Sequence, residues 1–405
     1  MTMNDNMEMV NASRNRAFSP SRTVWRTQMA KGIYTPHRVS LITCMINNNL
    51  APVVQDFLTQ LEVDAYIEQA RNVRELVKPL PFGIPGDTVK LRSTPSTIFR
   101  FTVPRENVRD TIGAIIALAG LNVPGRGTIF SQDLMEFSNQ PPVINLAFLD
   151  SKKVENNDVT LLNHLSYMIC VLSENGEGDN LAKNALDLGI CVPQLTNATG
   201  NDIRDQLGLI RVTIPAEKEI VHLIMPEQDS SSIAQLLAEQ AKLDRPGRGF
   251  IYQTPITVGL IDTYMKIGGQ KFAASMEQVI AAIDSLKGNT NWRRRLDAEG
   301  SADSRNACVH SDNCEVTIIS DEDRIDDLRA TCLSVGATGA TTTRITRISG
   351  QGELGKQSLV RSAVSIPASM ADAVVDSLLQ ISTIDKENVD KIKVLDSPST
   401  YVRAL

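Results

Sequence analysis

Apolar residues along this chain change their spacing in a fixed order, three times. Runs of strand character open each cycle: "HRVSLITCMI" (37–46), "HLSYMICVL" (164–172) and "CEVTIISD" (314–321). Helical patterns follow in "LAPVVQDFLTQL" (50–61), "GDNLAKNALDL" (178–188) and "DRIDDLRATCLS" (323–334), where apolar positions recur at three- and four-residue steps. A second strand and a linker of variable length lead to a strand that ends in proline: "STIFRFTVP" at Pro104, "EIVHLIMP" at Pro226, "LVRSAVSIP" at Pro367.

A second amphipathic helix then begins. Its inward positions are predicted to be Val108, Ile112, Ile115, Ile116 and Ala119 in the first cycle, and Ile233, Leu236 and Leu237 in the second. In the third they are Met370, Val374, Val375 and Leu378. Each cycle therefore reads β-α-β-loop-β-α-β, the split βαβ or ferredoxin-like order.

The cycles also share a loop. "VPGRGTIFSQ" (123–132) and "RPGRGFIYQT" (245–254) repeat Pro-Gly-Arg-Gly before an apolar strand. The interval from Pro104 to Gly125 equals that from Pro226 to Gly247, with no gap. The same interval from Pro367 reaches Asn388, where Asn388-Val389-Asp390 replaces Gly-Arg-Gly ahead of "KIKVLD". The expected fold class is α+β, with three tandem ferredoxin-like (βαββαβ) units forming a pseudo-trimer. The expected boundaries are a disordered basic arm over 1–37, units over 38–150, 151–265 and 308–405, and a helix and linker over 266–307. One four-stranded sheet has an uncovered face and open edges; three in one chain can cover each other.

Two glycines let the backbone turn with positive φ and approach a ligand closely, so that successive N–H groups converge on an anion. An intervening arginine adds a fork of donors suited to phosphate or carboxylate. Gly125, Arg126, Gly127 and Thr128, with Gly247, Arg248, Gly249 and Phe250, are thus the candidate ligand-binding residues. The competing structural reading makes both loops plain turns into a strand.

Composition narrows the partners. The 405 residues are 42% hydrophobic and 22% charged, with net charge −6, which lacks the basic footprint of a nucleic-acid binder. Aromatic residues, at 4%, are too few for stacking platforms along single strands. Six cysteines make no disulfide framework and suit a reducing compartment, so a cytoplasmic location is expected. The run "IGAIIALAGLNV" is too short to span a bilayer, and no membrane role is expected. Residues 11–38 hold no acidic residue and six basic ones, among them Arg14, Arg22 and Lys31.

These features together resemble the PII signal-transduction superfamily. "GRGTIF" and "GRGFIY" look like its glycine loop, Gly-Asp-Gly-Lys-Ile-Phe. "VGATGATTTRITRISGQG" (335–352) is similar to its second strand and the run into its long T-loop, through Gly336, Gly339, Thr341 and Gly350. The resemblance implies a trimer-like arrangement with ligand in clefts between units, here within a monomer. ATP, ADP, AMP or another small anion would be the ligand, and a target protein, a transporter or an enzyme, would be engaged by the variable loops.

This chain departs from the pattern. Leu121 and Leu243 stand at the family's threonine, Arg126 and Arg248 at its aspartate, and Thr128 and Phe250 at its lysine. No arginine pair follows the last strand of the first two units, and no tyrosine lies in "SGQGELGKQS", so uridylylation of the family type is excluded there. The variable loops are expected at 78–96 and 196–217.

Other features are read more plainly. Cys308, His310 and Cys314 in "NACVHSDNC" lack a nearby fourth ligand for zinc and are read as loop residues, so no metal is expected. The stretch 271–295 carries an apolar helical stripe, including Phe272, Met276, Ile280 and Leu286, and ends in Trp292 and three arginines. It reads as a satellite helix or a partner-docking element. No G-x-S-x-G, H-E-x-x-H or Walker loop is present, which favours binding over catalysis. The expected role is a regulatory protein that binds a small anion and is not an enzyme. The alternatives are an assembly protein without a ligand and an enzyme acting on a phosphorylated metabolite.

Overall fold

The computed structural model describes residues 34–79, 87–152, 161–202, 217–245, 247–262, 283, 286–288, 308–337, 339–349, 356–382 and 391–402. The element order β-α-β-β-α-β occurs three times. The first set is β1 (Thr35–Asn47), α1 (Ala51–Gln60), β2 (Ala65–Pro79), β3 (Asp87–Val103), α2 (Val108–Ala119) and β4 (Gly127–Ser138). A short helix, α3 (Leu146–Ser151), follows. The second is β5 (Leu165–Leu172), α4 (Glu177–Asp187), β6 (Gln194–Asp202), β7 (Glu217–Pro226), α5 (Glu227–Gln240) and β8 (Gly249–Ile256), extended by β9 (Val258–Leu260). The third is β10 (Cys308–Ser320), α6 (Glu322–Ser334), β11 (Gly339–Ile348), β12 (Lys356–Pro367), α7 (Ala368–Ser382) and β13 (Lys391–Val402).

The class is α+β, with one large antiparallel sheet of 13 strands and seven α-helices among the described residues. Within each set the strands lie in the order fourth, first, third, second: β4-β1-β3-β2, β8-β5-β7-β6 and β13-β10-β12-β11. The sets then share their edges. Strands β2, β6 and β11 each pair with the other two, through Arg71 with Leu195, Thr341 with Gly200 and Ile348 with Ala65. Strand β13 pairs with both β4 and β8. These pairings cover edges that would otherwise template association with another chain.

Each set buries one sheet face under its two helices. In the first, Val54, Phe57 and Leu58 of α1 and Ile112, Ile115 and Ile116 of α2 pack on Ile42, Phe99 and Phe101. Burying each such side chain contributes roughly 1.5–3 kcal/mol. The other sheet faces meet one another: Met45, Ile98 and Phe130 of the first set pack against Tyr167, Ile169 and Tyr252 of the second.

Several expectations change. In α5 the buried residues are Ser230, Ala234, Leu237 and Ala238, while Leu236 is among the exposed hydrophobics, so the helix is rotated from the predicted stripe. The described parts of both variable loops are strand: β2 and β3 form a ladder from Ala65 with Phe101 to Pro79 with Asp87, and β6 runs through 196–202. The alternation in "AYIEQARNVRELV" suits a ladder; 80–86 and 203–216 are outside the described residues. The first strand starts inside the expected arm, and Tyr34 is fully buried in the core of the third set. Cys308, His310 and Cys314 lie on β10, paired with β13, and not on a loop. Residues 1–33, loop 388–390 and most of 266–307 fall outside the described residues, although Leu286 is described and is 87% exposed.

Candidate functional site

Register places the two glycine loops on equivalent ground. Gly127 opens β4 opposite Ile46, and Gly249 opens β8 opposite Leu172. A Cβ on Gly127 would lie 2.3 Å from the Met45 carbonyl oxygen, and one on Gly249 would lie 2.0 Å from that of Val171. The second glycine of each loop is therefore required by the backbone of the first strand, whatever the loop binds.

The first loop turns at Gly125 (φ +88). Its carbonyl accepts from Asn47 Nδ2 at 2.8 Å and from an Arg74 guanidinium nitrogen at 2.8 Å. Its N–H donates to Asp262 Oδ1 at 2.6 Å, and Asp262 Oδ2 lies 3.2 Å from the same Arg74 nitrogen. Asp262 N–H donates to Thr128 Oγ1 at 2.8 Å. Thr128 is buried. Arg126 folds over Gly120, where a Cβ would meet its guanidinium at 2.9 Å, and it makes no ion pair among the described residues. Burial pushes the Asp262 carboxyl up to about 6, against the pull of Arg74 and the Gly125 N–H.

The second loop is already neutralised. Arg248 pairs with Glu174 and with Glu177, the latter at 2.7 Å. Glu219 accepts from Gly176 N at 3.0 Å and Gly178 N at 2.8 Å at the start of α4, the favoured place for a carboxylate. Burial, first, and the neighbouring Glu174 raise the Glu177 carboxyl. Phe250 lies in β8, its ring stacked on Tyr252 at 5.9 Å.

The residues that follow the first strand of each set explain the difference. They are Asn47-Asn48-Asn49, Ser173-Glu174-Asn175 and, by the pairing of Ile319 with Lys391, Asp321-Glu322-Asp323. Only the first set carries no carboxylate there. Its three asparagines line a cleft of about 460 Å³ together with Arg74, Arg92, Thr94 and Glu75. Arg74 and Arg92 face each other as a direct ladder pair of β2 and β3. The Arg74 side chain is 13% exposed, and its buried Nε has no hydrogen-bond partner. Arg92 is exposed. Asn72 orients Asn47 through a 2.7 Å bond and itself accepts from Thr94.

Sequence reasoning singled out Gly125 and Arg126, and not Arg74, Arg92, the asparagine triplet or Asp262. The triplet was accessible in principle, because its three versions occupy matching positions after the first strands. Arg92 fell in the stretch read as a variable loop, so its pairing with Arg74 could not be seen.

On the sheet faces away from the helices, buried ion pairs accumulate: Arg100 with Glu68, Arg361 with Glu315 at 3.1 Å, and Lys393 with Glu136 at 3.5 Å. His222 is held by the Tyr167 hydroxyl at 2.6 Å and the Thr196 hydroxyl at 2.9 Å. Among the described residues, no group of three or more His, Cys, Asp or Glu could hold a metal ion, and no helix is long and apolar enough to cross a membrane.

No family model matches this chain, and no curated protein matches it. Among solved structures, aspartate kinase from Synechocystis is similar at 10% identity and a TM-score of 0.20. The alignment covers 89% of this chain and 45% of that one, so the chain spans less than half of that protein's length. A likeness at that level carries no argument about fold or function.

Proposed function

We propose that this chain is a PII-like regulatory protein. Its three ferredoxin-like units act as a single-chain pseudo-trimer, and the first unit's cleft binds a small anion, adenine nucleotides among the candidates. The mutual pairing of β2, β6 and β11 supports the pseudo-threefold arrangement. The observation that carries the anion reading is the direct opposition of Arg74 and Arg92 across one ladder, beside a cleft lined by three asparagines and a single carboxylate, Glu75. Like charges directly opposite each other destabilise a sheet, and an anion between them reverses the sign. Because Arg92 belongs to the β2–β3 hairpin, occupancy would set that hairpin's conformation and so its engagement of a target protein. Differential affinity of a few kcal/mol between two states is enough to switch such a contact.

A thermal-shift screen with phosphate, pyrophosphate, adenine nucleotides and dicarboxylates tests this. A ligand at about 100 times its Kd adds roughly 2.7 kcal/mol of stability. Stabilisation by at least one anion, lost in Arg92→Ala, supports the reading; no shift with any of them sinks it. An assembly role without a ligand is favoured by one observation, the internal neutralisation of Arg248 by Glu174 and Glu177.

A further inference from the structure

Asp262 sits where an anionic ligand of the first glycine loop would sit. Its carboxylate takes the Gly125 N–H at 2.6 Å and an Arg74 guanidinium nitrogen at 3.2 Å, the two donors best placed for an anion at that loop. The residue comes from a different part of the chain, just after β9, which extends the second set. Its main chain is fixed on both sides: its N–H donates to Thr128 Oγ1 at 2.8 Å, and its carbonyl accepts from Val192 N at 3.3 Å. It is 3% exposed.

We infer that Asp262 is a built-in competitor for the first glycine loop, an autoinhibitory contact that an anion entering the cleft must displace. This rests on the anion reading of that cleft. Arg74 is the shared element, because it lines the cleft and holds both Gly125 O and Asp262. Displacement would free Asp262 from Thr128 and Val192, so that occupancy of a cleft in the first set is reported at a segment belonging to the second. Burial raises the Asp262 pKa to about 6 against Arg74 and the Gly125 N–H, so its charge is held there at a desolvation cost. The groups that face it are Arg74 and the Cys191 thiol, itself pushed up to about 12 by burial and therefore neutral.

The test uses the full chain and inorganic phosphate, by calorimetry and hydrogen exchange. Asp262→Asn keeps the shape and removes the charge, so phosphate should bind roughly tenfold more tightly than to the wild type, as expected when one poorly screened like charge is lost. In the wild type, saturating phosphate should speed exchange in peptides covering 257–262 and 190–193, a measurement that needs no variant. Equal affinity in both proteins with unchanged exchange overturns the competitor role and leaves the anion site standing. Absence of phosphate binding to either protein overturns both.

Discussion

Arg74 and Arg92 stand directly opposite each other in the β2–β3 ladder, the first largely buried and the second exposed. Such a pair costs a few tenths to about 1 kcal/mol, part of which the Arg74–Asp262 ion pair offsets. Arg92→Ala should therefore leave the fold as stable or slightly more stable in anion-free buffer. It should also weaken phosphate or nucleotide binding about tenfold, the effect of one lost charge-assisted hydrogen bond. Calorimetry and denaturant unfolding, run on the same samples, read both. Unchanged affinity would remove Arg92 from the site.

The second glycines answer to the backbone, not to a ligand. Gly127→Ala and Gly249→Ala would each drive a Cβ into a carbonyl oxygen of the first strand, at 2.3 and 2.0 Å. Each should destabilise the protein by more than about 1 kcal/mol, measured by urea unfolding. A substitution tolerated at both positions would show that the strands can part there.

How the sequence performed follows from where the physics is local. The three β-α-β-β-α-β sets were legible because helix and strand periods are written in neighbouring residues, and α2 buries the very positions its pattern predicted. Edge pairing among β2, β6 and β11 joins residues far apart in the chain, and no local pattern encodes it. The glycine loops were legible as motifs, but their surroundings were not. Whether Arg126 or Arg248 is free depends on Glu174, Glu177 and Gly120, which only the fold brings near them. Asp262 was invisible for the same reason, since its partners Gly125 and Arg74 lie more than a hundred positions upstream.

His222 makes stability sensitive to acid. Burial, foremost, lowers its pKa to about 3, with Arg100 and Arg361 adding to the shift and Glu68 opposing it. The unfolded chain takes up that proton near the ordinary value of about 6.5, and the folded one does not until about 3. Between those values the unfolded state binds more protons, so stability falls as pH falls, by up to about 1.4 kcal/mol per pH unit. His222→Gln keeps a donor and an acceptor for Tyr167 and Thr196 but cannot titrate. Its stability should change less than that of the wild type between about pH 6.5 and 5. Asp262 contributes the opposite slope over part of that range, equally in both proteins, and cancels in the difference. Identical pH profiles would mean that His222 is not the group responsible.

Stoichiometry separates the structure from the motif. Two Gly-Arg-Gly loops argue for two anions per chain, and Arg126→Ala and Arg248→Ala would then each lose one. The strand-end triplets argue for one. Asn47-Asn48-Asn49 leaves the first cleft without a carboxylate in the triplet, whereas Glu174 and its neighbour Glu177 neutralise Arg248 directly. In the third set Asp321 and Glu322 are engaged by Gln357 at 3.2 Å and Arg344 at 2.6 Å, and they put carboxylates where the first set has amides. An anion approaching either position meets like charge at close range, which partly buried surroundings screen poorly. One equivalent of phosphate or nucleotide per chain is therefore expected by calorimetry, and Arg248→Ala should leave that affinity unchanged. The converse is the stronger check: Glu174→Gln with Glu177→Gln uncovers Arg248 and should create a second, weaker site. Two equivalents in the wild type, or none gained in the double variant, would show that the triplets do not decide which loop binds.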